Sequence, residues 1–280
     1  MIRCYMNDED ILEKLRNATD TIEAVHQMLN KTVEEAGKSD TDQNGPDEMY
    51  MSFNSKDFLT MKDVLDKDFR DKDIWVYWSG GFDSTAILLA LCKTFPDKTI
   101  NTFSIEHECV GSGKADRAAR IRIRKELRKR GYRITSHDVK IDNYYGASYG
   151  LSQPVIWFSQ IGHIIGQAGV ICFGYIRGDD FWHYQEAAKL ILRGYNMFKD
   201  VNTEETKILM PLEWKEKKDI IKYLRKNNLD TLCNYCEGNQ NDELGEEEPC
   251  HKCHSCKVHD EAIRELEEIE KAEKVLDKKE

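Results

Sequence analysis

From residue 73 onward, short segments rich in β-forming residues alternate with longer segments whose apolar residues recur at helical spacing. The predicted strands are 74–78, 99–105, 134–139 and 170–175, and the predicted helices between and after them are 85–95, 114–130, 156–168 and 183–198. This alternation is typical of βαβ units, so we predict an α/β fold with a doubly wound parallel sheet. Ligands of such sheets bind beyond the carboxyl ends of the strands, which points to the loops after Trp78, Ile105 and Tyr175.

Two further regions flank the predicted α/β domain, which we place at 71–210. Residues 1–70 are predicted to form a helical N-terminal extension that ends in a polar linker. Residues 211–280 are predicted to form a C-terminal helical region, with helices at 217–227 and 258–277 and a group of cysteines between them.

Charge and hydropathy exclude two classes of protein. The 41 Lys and Arg against 51 Asp and Glu leave a net charge of -10, which excludes a protein whose whole surface binds nucleic acid. The most apolar stretch, 155–176, is interrupted by polar residues and glycines, so it indicates a buried core and not a membrane span. The N-terminus has no apolar segment typical of a signal peptide, and we therefore expect a cytoplasmic protein.

A glycine-rich loop follows the first predicted strand, with the sequence Ser79-Gly80-Gly81-Phe82-Asp83-Ser84-Thr85. Two glycines allow the backbone to approach an anion, and the amides of the next helix point toward it with the helix dipole behind them. The three hydroxyl side chains add donors, and Asp83 is suited to hold Mg²⁺ on phosphate oxygens. The spacing is not that of a Walker A loop, and the loop lacks its lysine. The alternative is a plain strand-to-helix turn with Ser84 as the N-cap.

Five cysteines crowd into the C-terminal region at Cys233, Cys236, Cys250, Cys253 and Cys256. Paired CxxC segments supply four thiolates to one tetrahedral Zn²⁺, and a complete Cys₄ shell is typical of a structural site. Four cysteines also suit an iron–sulfur cluster, which stays open as an alternative. Without an export signal, a disulfide framework is not expected.

The string SGGFDST resembles the SGGxDS signature of the PP-loop ATP pyrophosphatase superfamily, whose fold is of the adenine nucleotide alpha hydrolase-like type. Members of that superfamily adenylate a substrate and release pyrophosphate. The resemblance implies that residues 79–85 bind ATP with Mg²⁺ and that Ser79, Asp83 and Ser84 are catalytic.

The loop and the cysteine string CxxCxxC together resemble the 7-cyano-7-deazaguanine synthase family over about residues 74–262. Three smaller features agree: Gly174 with Asp179, Pro211-Leu212 followed by Lys217 and Ile220, and an aromatic residue before Cys236. The resemblance implies ATP-dependent conversion of 7-carboxy-7-deazaguanine and ammonia to the nitrile. It also implies the residues that bind the substrate and the zinc ion: Gly174, Asp179 and Asp180 for the former, and Cys236, Cys250, Cys253 and Cys256 for the latter, with Cys233 in reserve.

Two departures make the chain a divergent member. Residues 151–157 lack the Arg-Asn pair that the family carries there, and His251 stands where its zinc string has glycine. A variant that stops at the 7-amido compound is therefore an alternative product. A homodimer is the expected assembly, and direct binding of nucleic acid is not expected.

Two other functions remain as alternatives. Residues 114–133 contain ten Lys and Arg with only Asp116 and Glu126, which would suit a PP-loop thiolase or ligase acting on tRNA. The same charges also suit a solvated helix face. The last alternative is a nucleotide-binding adaptor without turnover, although the glycine loop shows no degradation.

Overall fold

A computed structural model describes seven stretches of the chain: 71–107, 113–141, 153–164, 169–176, 179–197, 206–238 and 249–276. All of them belong to one of the two units into which the chain divides, Asp47–Glu280. The predicted extension at 1–70 and the departing residues 151 and 152 lie outside these stretches.

A five-stranded sheet forms the centre of the structure, with every neighbouring pair of strands parallel. The strands are β1 (Ile74–Tyr77), β2 (Thr99–His107), β3 (Arg133–Ile141), β4 (Val170–Cys172) and β5 (Lys207–Leu209), in the spatial order β3-β2-β1-β4-β5. The predicted α/β fold with a parallel sheet is confirmed. The sequence reading missed β5, because three residues are too few to show a period.

Six α-helices are found in the described residues: α1 (Phe82–Thr94), α2 (Gly113–Lys129), α3 (Gln153–Ser159), α4 (Gln185–Met197), α5 (Lys217–Lys226) and α6 (His254–Leu276). Short 3₁₀ turns follow α3 at Gln160–His163, precede α4 at Asp180–Tyr184 and follow α5 at Asp230–Leu232. Helix α1 begins three residues earlier than predicted, so Asp83 and Ser84 lie in its first turn. None of the described helices combines the length and apolarity needed to cross a membrane.

The sheet is covered on both faces, as expected for a doubly wound fold. The side chains of Ile74 and Val76 pack with α1, α2, α5 and α6 in one apolar core. Those of Trp75 and Tyr77 point to the opposite core, which α3 and α4 complete. Alternate residues of β1 thus enter different cores, because successive side chains of a strand point to opposite faces.

The order in which the chain adds strands to the sheet reverses at β1. After β1 it adds β2 and then β3 on one side, and β4 and β5 follow on the other side. The usual ligand site of an open α/β sheet is the crevice where the strand order reverses, which here corresponds to the carboxyl ends of β1 and β4. The glycine loop follows β1 at this point, and Gly174 follows β4.

Candidate functional site

The entry to the glycine loop is fixed by hydrogen bonds from Trp78. Its backbone N–H donates to the Phe103 carbonyl at 2.8 Å, and its buried indole Nε1 donates to Thr85 Oγ1 at 3.1 Å. The second bond ties the end of the strand to the first turns of α1. Thr85, predicted to bind nucleotide, is fully buried and serves the packing of the loop.

Gly80 has a positive φ of 94°, which side-chain-bearing residues rarely adopt. A Cβ at this position would lie 2.7 Å from the Asp116 carbonyl oxygen and 3.0 Å from Arg120 Cγ. Both the conformation and the close approach to α2 therefore require glycine here.

Two serines stabilise the loop from inside. The Ser79 and Ser84 hydroxyls lie 3.1 Å apart, and the Ser79 N–H donates to Ser84 Oγ at 3.3 Å. The N-cap of α1 is Gly81, and among the described residues no side chain caps it. The predicted capping role of Ser84 is wrong: Ser84 lies within the first turn, and the first amides of α1 have no side-chain acceptor at the N-cap.

The loop carbonyls are bound from behind by two other parts of the chain. Arg120 of α2 donates through Nη1 to the Ser79 carbonyl at 3.1 Å and through Nη2 to Glu106 at 2.6 Å. The backbone N–H of Asn234 donates to the Gly80 carbonyl at 3.1 Å. These bonds fix the path of the loop between the sheet and the C-terminal region.

Asp83 pairs with Lys217 at the start of α5, with 2.5 Å between Oδ2 and Nζ. The other oxygen of Asp83, Oδ1, is buried and accepts no hydrogen bond from any described residue. Such an oxygen is the kind of ligand that Mg²⁺ prefers. Lys217 was not predicted as a site residue, although its position in the Pro-Leu…Lys-x-x-Ile element was the available signal.

Asp179 lies close enough to Asp83 for the two carboxyl groups to interact electrostatically. Burial raises the pKa of Asp179 to about 7, and the charge of Asp83 contributes to the shift. Its Oδ2 accepts the Ile176 N–H at 2.7 Å. Asp180, also predicted to bind substrate, is exposed at the start of the 3₁₀ turn.

Gly174 serves a close packing contact. A Cβ there would lie 2.8 Å from the Ser84 backbone nitrogen and 3.1 Å from the Asp83 carbonyl carbon. The segment after β4 therefore touches the first turn of α1 directly. The structure thus brings Gly174 and Asp179 next to the glycine loop. The sequence resemblance implies that these two residues bind the substrate.

The metal-ligand candidates Cys236, Cys250, Cys253 and Cys256 form one group whose sulfur atoms all lie within 4.8 Å of one another. The backbone N–H groups of Cys253 and Lys252 lower the pKa of Cys250 to about 6, which favours its thiolate, whereas burial raises the pKa of Cys236 and of Cys256. This arrangement supports a four-cysteine metal site.

Cys233 lies apart from that group. Its Sγ donates to the Leu229 carbonyl at 3.4 Å, and burial raises its pKa to about 12. A buried thiol with a high pKa is inert.

The backbone explains the departure at His251. His251 adopts a φ of 52°, the left-handed conformation that glycine adopts without strain. Its ring Nδ1 lies 2.8 Å from Asp260 Oδ2 on α6. His251 thus adopts a left-handed turn and adds a contact to α6.

No protein-family model matches the chain, and no curated protein matches it. Among solved structures it is similar to the U34-tRNA thiolase NcsA from Methanococcus maripaludis with its [4Fe-4S] cluster, at 14% identity and a TM-score of 0.42 over 74% of this chain and 78% of that one. It is also similar to NMN synthetase from Francisella tularensis, at 15% identity and a TM-score of 0.40 over 72% and 82%. These similarities concern the fold and not the reaction.

The first prediction concerns Gly174. Gly174→Ala should lower the free energy of unfolding by about 2 kcal/mol, since the new methyl group meets backbone atoms of α1. The control Gly194→Ala, in open space on α4, should raise it by about 1 kcal/mol because alanine favours a helix. Denaturant unfolding measures both changes, and equal effects of the two variants would contradict the packing described.

The second prediction concerns the pH dependence of stability. The carboxyl group of Asp179 ionises near pH 3.8 in the unfolded chain and near 7 in the folded one, so its contribution to stability falls as the pH rises between these values. Asp179→Asn removes this ionisation and keeps an oxygen to accept the Ile176 N–H. The stability of the variant relative to the wild type should therefore rise with pH between about pH 4 and about pH 7 and stay constant above that, in magnesium-free buffer. Asp180→Asn, at the exposed neighbour, should follow the wild-type profile, and a parallel profile for Asp179→Asn would contradict the raised pKa.

The third prediction separates the cysteines. Cys250→Ser should reduce the bound metal to a small fraction of about one ion per chain, because one ligand of four is lost. Cys233→Ser should leave the metal content unchanged. Metal analysis of the purified variants distinguishes them, and loss of metal from Cys233→Ser would contradict the ligand set.

Proposed function

We propose that this chain is an ATP-dependent enzyme of the PP-loop type that converts 7-carboxy-7-deazaguanine and ammonia to 7-cyano-7-deazaguanine. The observation that carries the proposal is the glycine loop at the crevice between β1 and β4, where α1 starts without a side-chain cap. The first amides of such a helix bind phosphate, and the helix dipole adds to the attraction. The string SGGFDST supplies the resemblance to ATP pyrophosphatases.

Charged groups beside the loop fit a magnesium–triphosphate. Asp83 would hold Mg²⁺ through its buried Oδ1, and the ion would offset the negative charge of the phosphates. In the structure described, Lys217 neutralises the charge of Asp83. Once Mg²⁺ binds Asp83 and neutralises it instead, the Nζ of Lys217 would donate to a phosphate oxygen. The site thus balances its own charge before the nucleotide arrives.

The reaction requires two activations of the same carbon. In the first, the substrate carboxylate attacks the α-phosphorus of ATP and pyrophosphate leaves; ammonia then displaces AMP and the amide forms. In the second, the amide oxygen attacks the α-phosphorus of another ATP and pyrophosphate leaves; loss of AMP and two protons then gives the nitrile. Amides of α1 and Lys217 stabilise the charge that develops on the departing pyrophosphate, which is a contribution of preorganised dipoles.

The nucleobase has a place beside the reacting phosphate. Asp179 and Asp180 are suited to accept hydrogen bonds from the N1–H and the amino group of a guanine-like ring. Two such donors favour the carboxylate form of Asp179, against its raised pKa.

We assign zinc to the four-cysteine site. Zinc–sulfur bonds of about 2.3 Å around a tetrahedral ion set the sulfurs about 3.8 Å apart. Cys250 and Cys256 have this separation, 3.8 Å, and the whole group lies within 4.8 Å. In a [4Fe–4S] cluster each cysteine binds a different iron, which sets the sulfurs farther apart.

The tRNA alternative has less support because several arginines of the basic segment 114–133 serve the fold. Arg120 is buried, with a side chain 4% exposed, and pairs with Glu106. Arg128 donates to the Ile134 carbonyl and Arg130 to the Asn227 carbonyl. These guanidinium groups already have acceptors within the chain, so fewer of them remain for nucleic-acid phosphates.

The fourth prediction is the product of the reaction. Purified protein incubated with 7-carboxy-7-deazaguanine, ammonium and Mg-ATP should form the nitrile together with AMP and pyrophosphate, as mass spectrometry would detect. Asp83→Asn should lower the rate at least about 100-fold, since it weakens the magnesium ligand at the reacting phosphate. The control Asp97→Asn changes an exposed acid in the turn beyond the C-terminal end of α1, away from the glycine loop, and should keep most of the activity.

Each product has a distinct meaning. Formation of the amide alone would support the adenylation of the substrate and show that the reaction ends at the 7-amido compound. Unchanged acid, with no AMP, would overturn the proposed substrate.

A further inference from the structure

Asn234 links the glycine loop to the four-cysteine site. Its backbone N–H donates to the Gly80 carbonyl, and its side-chain Nδ2 donates to Asp116 Oδ1 on α2 at 2.6 Å. Its side-chain Oδ1 accepts the Cys236 N–H at 3.4 Å. Asn234 thus contacts the loop, the helix behind it and a metal-ligand candidate at once.

The orientation of the Asn234 amide follows from its two partners. A carboxylate accepts and a backbone N–H donates, so the nitrogen must face Asp116 and the oxygen must face Cys236. The hydrogen bond to a charged acceptor is the stronger kind. Asn234 also approaches the loop closely, because a Cβ on Gly81 would lie 3.4 Å from its carbonyl oxygen.

An aromatic contact runs beside this link. Tyr235 stacks on His259 of α6, with ring centroids 3.7 Å apart. Phe82, the first residue of α1, packs with its edge against both rings, at 5.8 and 5.0 Å. Tyr235, the residue between Asn234 and Cys236, is therefore packed against the start of the same helix that follows the glycine loop.

We propose that Asn234 is a positioning residue through which the metal-bound cysteine segment holds the glycine loop in its phosphate-binding conformation. The loop needs such support because Gly80 has many accessible conformations in the absence of contacts. A metal bound at Cys236 fixes the backbone two residues from Asn234, and Asn234 carries that constraint to the Gly80 carbonyl and to Asp116. The consequence for ATP rests on the proposed function; the positioning of the loop does not.

The test exchanges the donor and the acceptor of the hydrogen bond between Asn234 and Asp116. Asn234→Asp alone sets two carboxylates against each other, whereas Asn234→Asp combined with Asp116→Asn restores a donor and an acceptor with the polarity exchanged. The double variant has the same composition and net charge as the wild type, and its new acid at position 234 still accepts the Cys236 N–H. Asp116→Asn alone is the remaining arm, and it keeps a hydrogen-bond acceptor for Asn234.

Hydrogen–deuterium exchange of peptides that cover 79–83 is the primary readout, with metal content and the affinity for Mg-ATP measured in parallel. Asn234→Asp should speed exchange of the loop and weaken Mg-ATP binding by about tenfold each, the effect of losing a charge-assisted hydrogen bond. The double variant should return both to near wild-type values, and Asp116→Asn should change them little. Chelation of the metal from the wild type should speed exchange in the same peptides.

The outcomes separate this inference from the proposed function. Loop exchange that is unchanged in Asn234→Asp, or that stays fast in the double variant, would overturn the role of Asn234. Loop exchange that is unchanged on chelation would overturn the link to the metal. A wild type that follows the exchange pattern but does not bind Mg-ATP would instead overturn the proposed function and leave the positioning role intact.

Discussion

The buried guanidinium of Arg120 is the interaction on which the site depends. It donates to the Ser79 carbonyl, pairs with Glu106 at 2.6 Å on β2 and lies 3.7 Å from Asp138 on β3. A buried cation must keep its partners, because an unpaired charge in a protein interior is costly. One side chain of α2 thus sets the position of the glycine loop against two strands. In the sequence, Arg120 is only one of ten basic residues in 114–133 and cannot be told from a nucleic-acid contact.

The glycine loop and the four-cysteine site act as one unit in this account. The loop carries little structure of its own, since Gly80 needs a left-handed conformation that its neighbours must maintain. Arg120 holds it from the sheet side and Asn234 from the C-terminal side. Under the proposed function, a metal at the four cysteines would supply rigidity beside the phosphate site, where a fixed array of amides must meet a transferring phosphate.

The sequence predicted those features of the fold and the site that depend on residues close to one another along the chain. Apolar runs located four strands of the sheet, and the string SGGFDST located the loop at the end of the first one. The spacing alone did not decide whether Cys236 or Cys233 is the fourth metal-ligand candidate, and the choice of Cys236 rested on the resemblance. In the structure, the sulfur of Cys236 lies with the other three sulfurs, and that of Cys233 lies apart from them. Lys217 and Asn234 could not be assigned roles from spacing, because their partners lie 134 and 118 residues away along the chain. The left-handed turn at His251 was likewise hidden, since histidine carries no sign of the conformation it adopts.

The most direct test of the account is a crystal structure of the protein with Mg²⁺ and an ATP analogue whose α–β phosphate bond resists cleavage. The account predicts that the triphosphate lies against the first amides of α1, with Mg²⁺ on Asp83 Oδ1 and with Lys217 turned from Asp83 toward a phosphate oxygen. A nucleotide bound elsewhere, or a glycine loop that leaves Arg120 and Asn234 to accommodate it, would contradict the central claim that this preformed loop is the phosphate site.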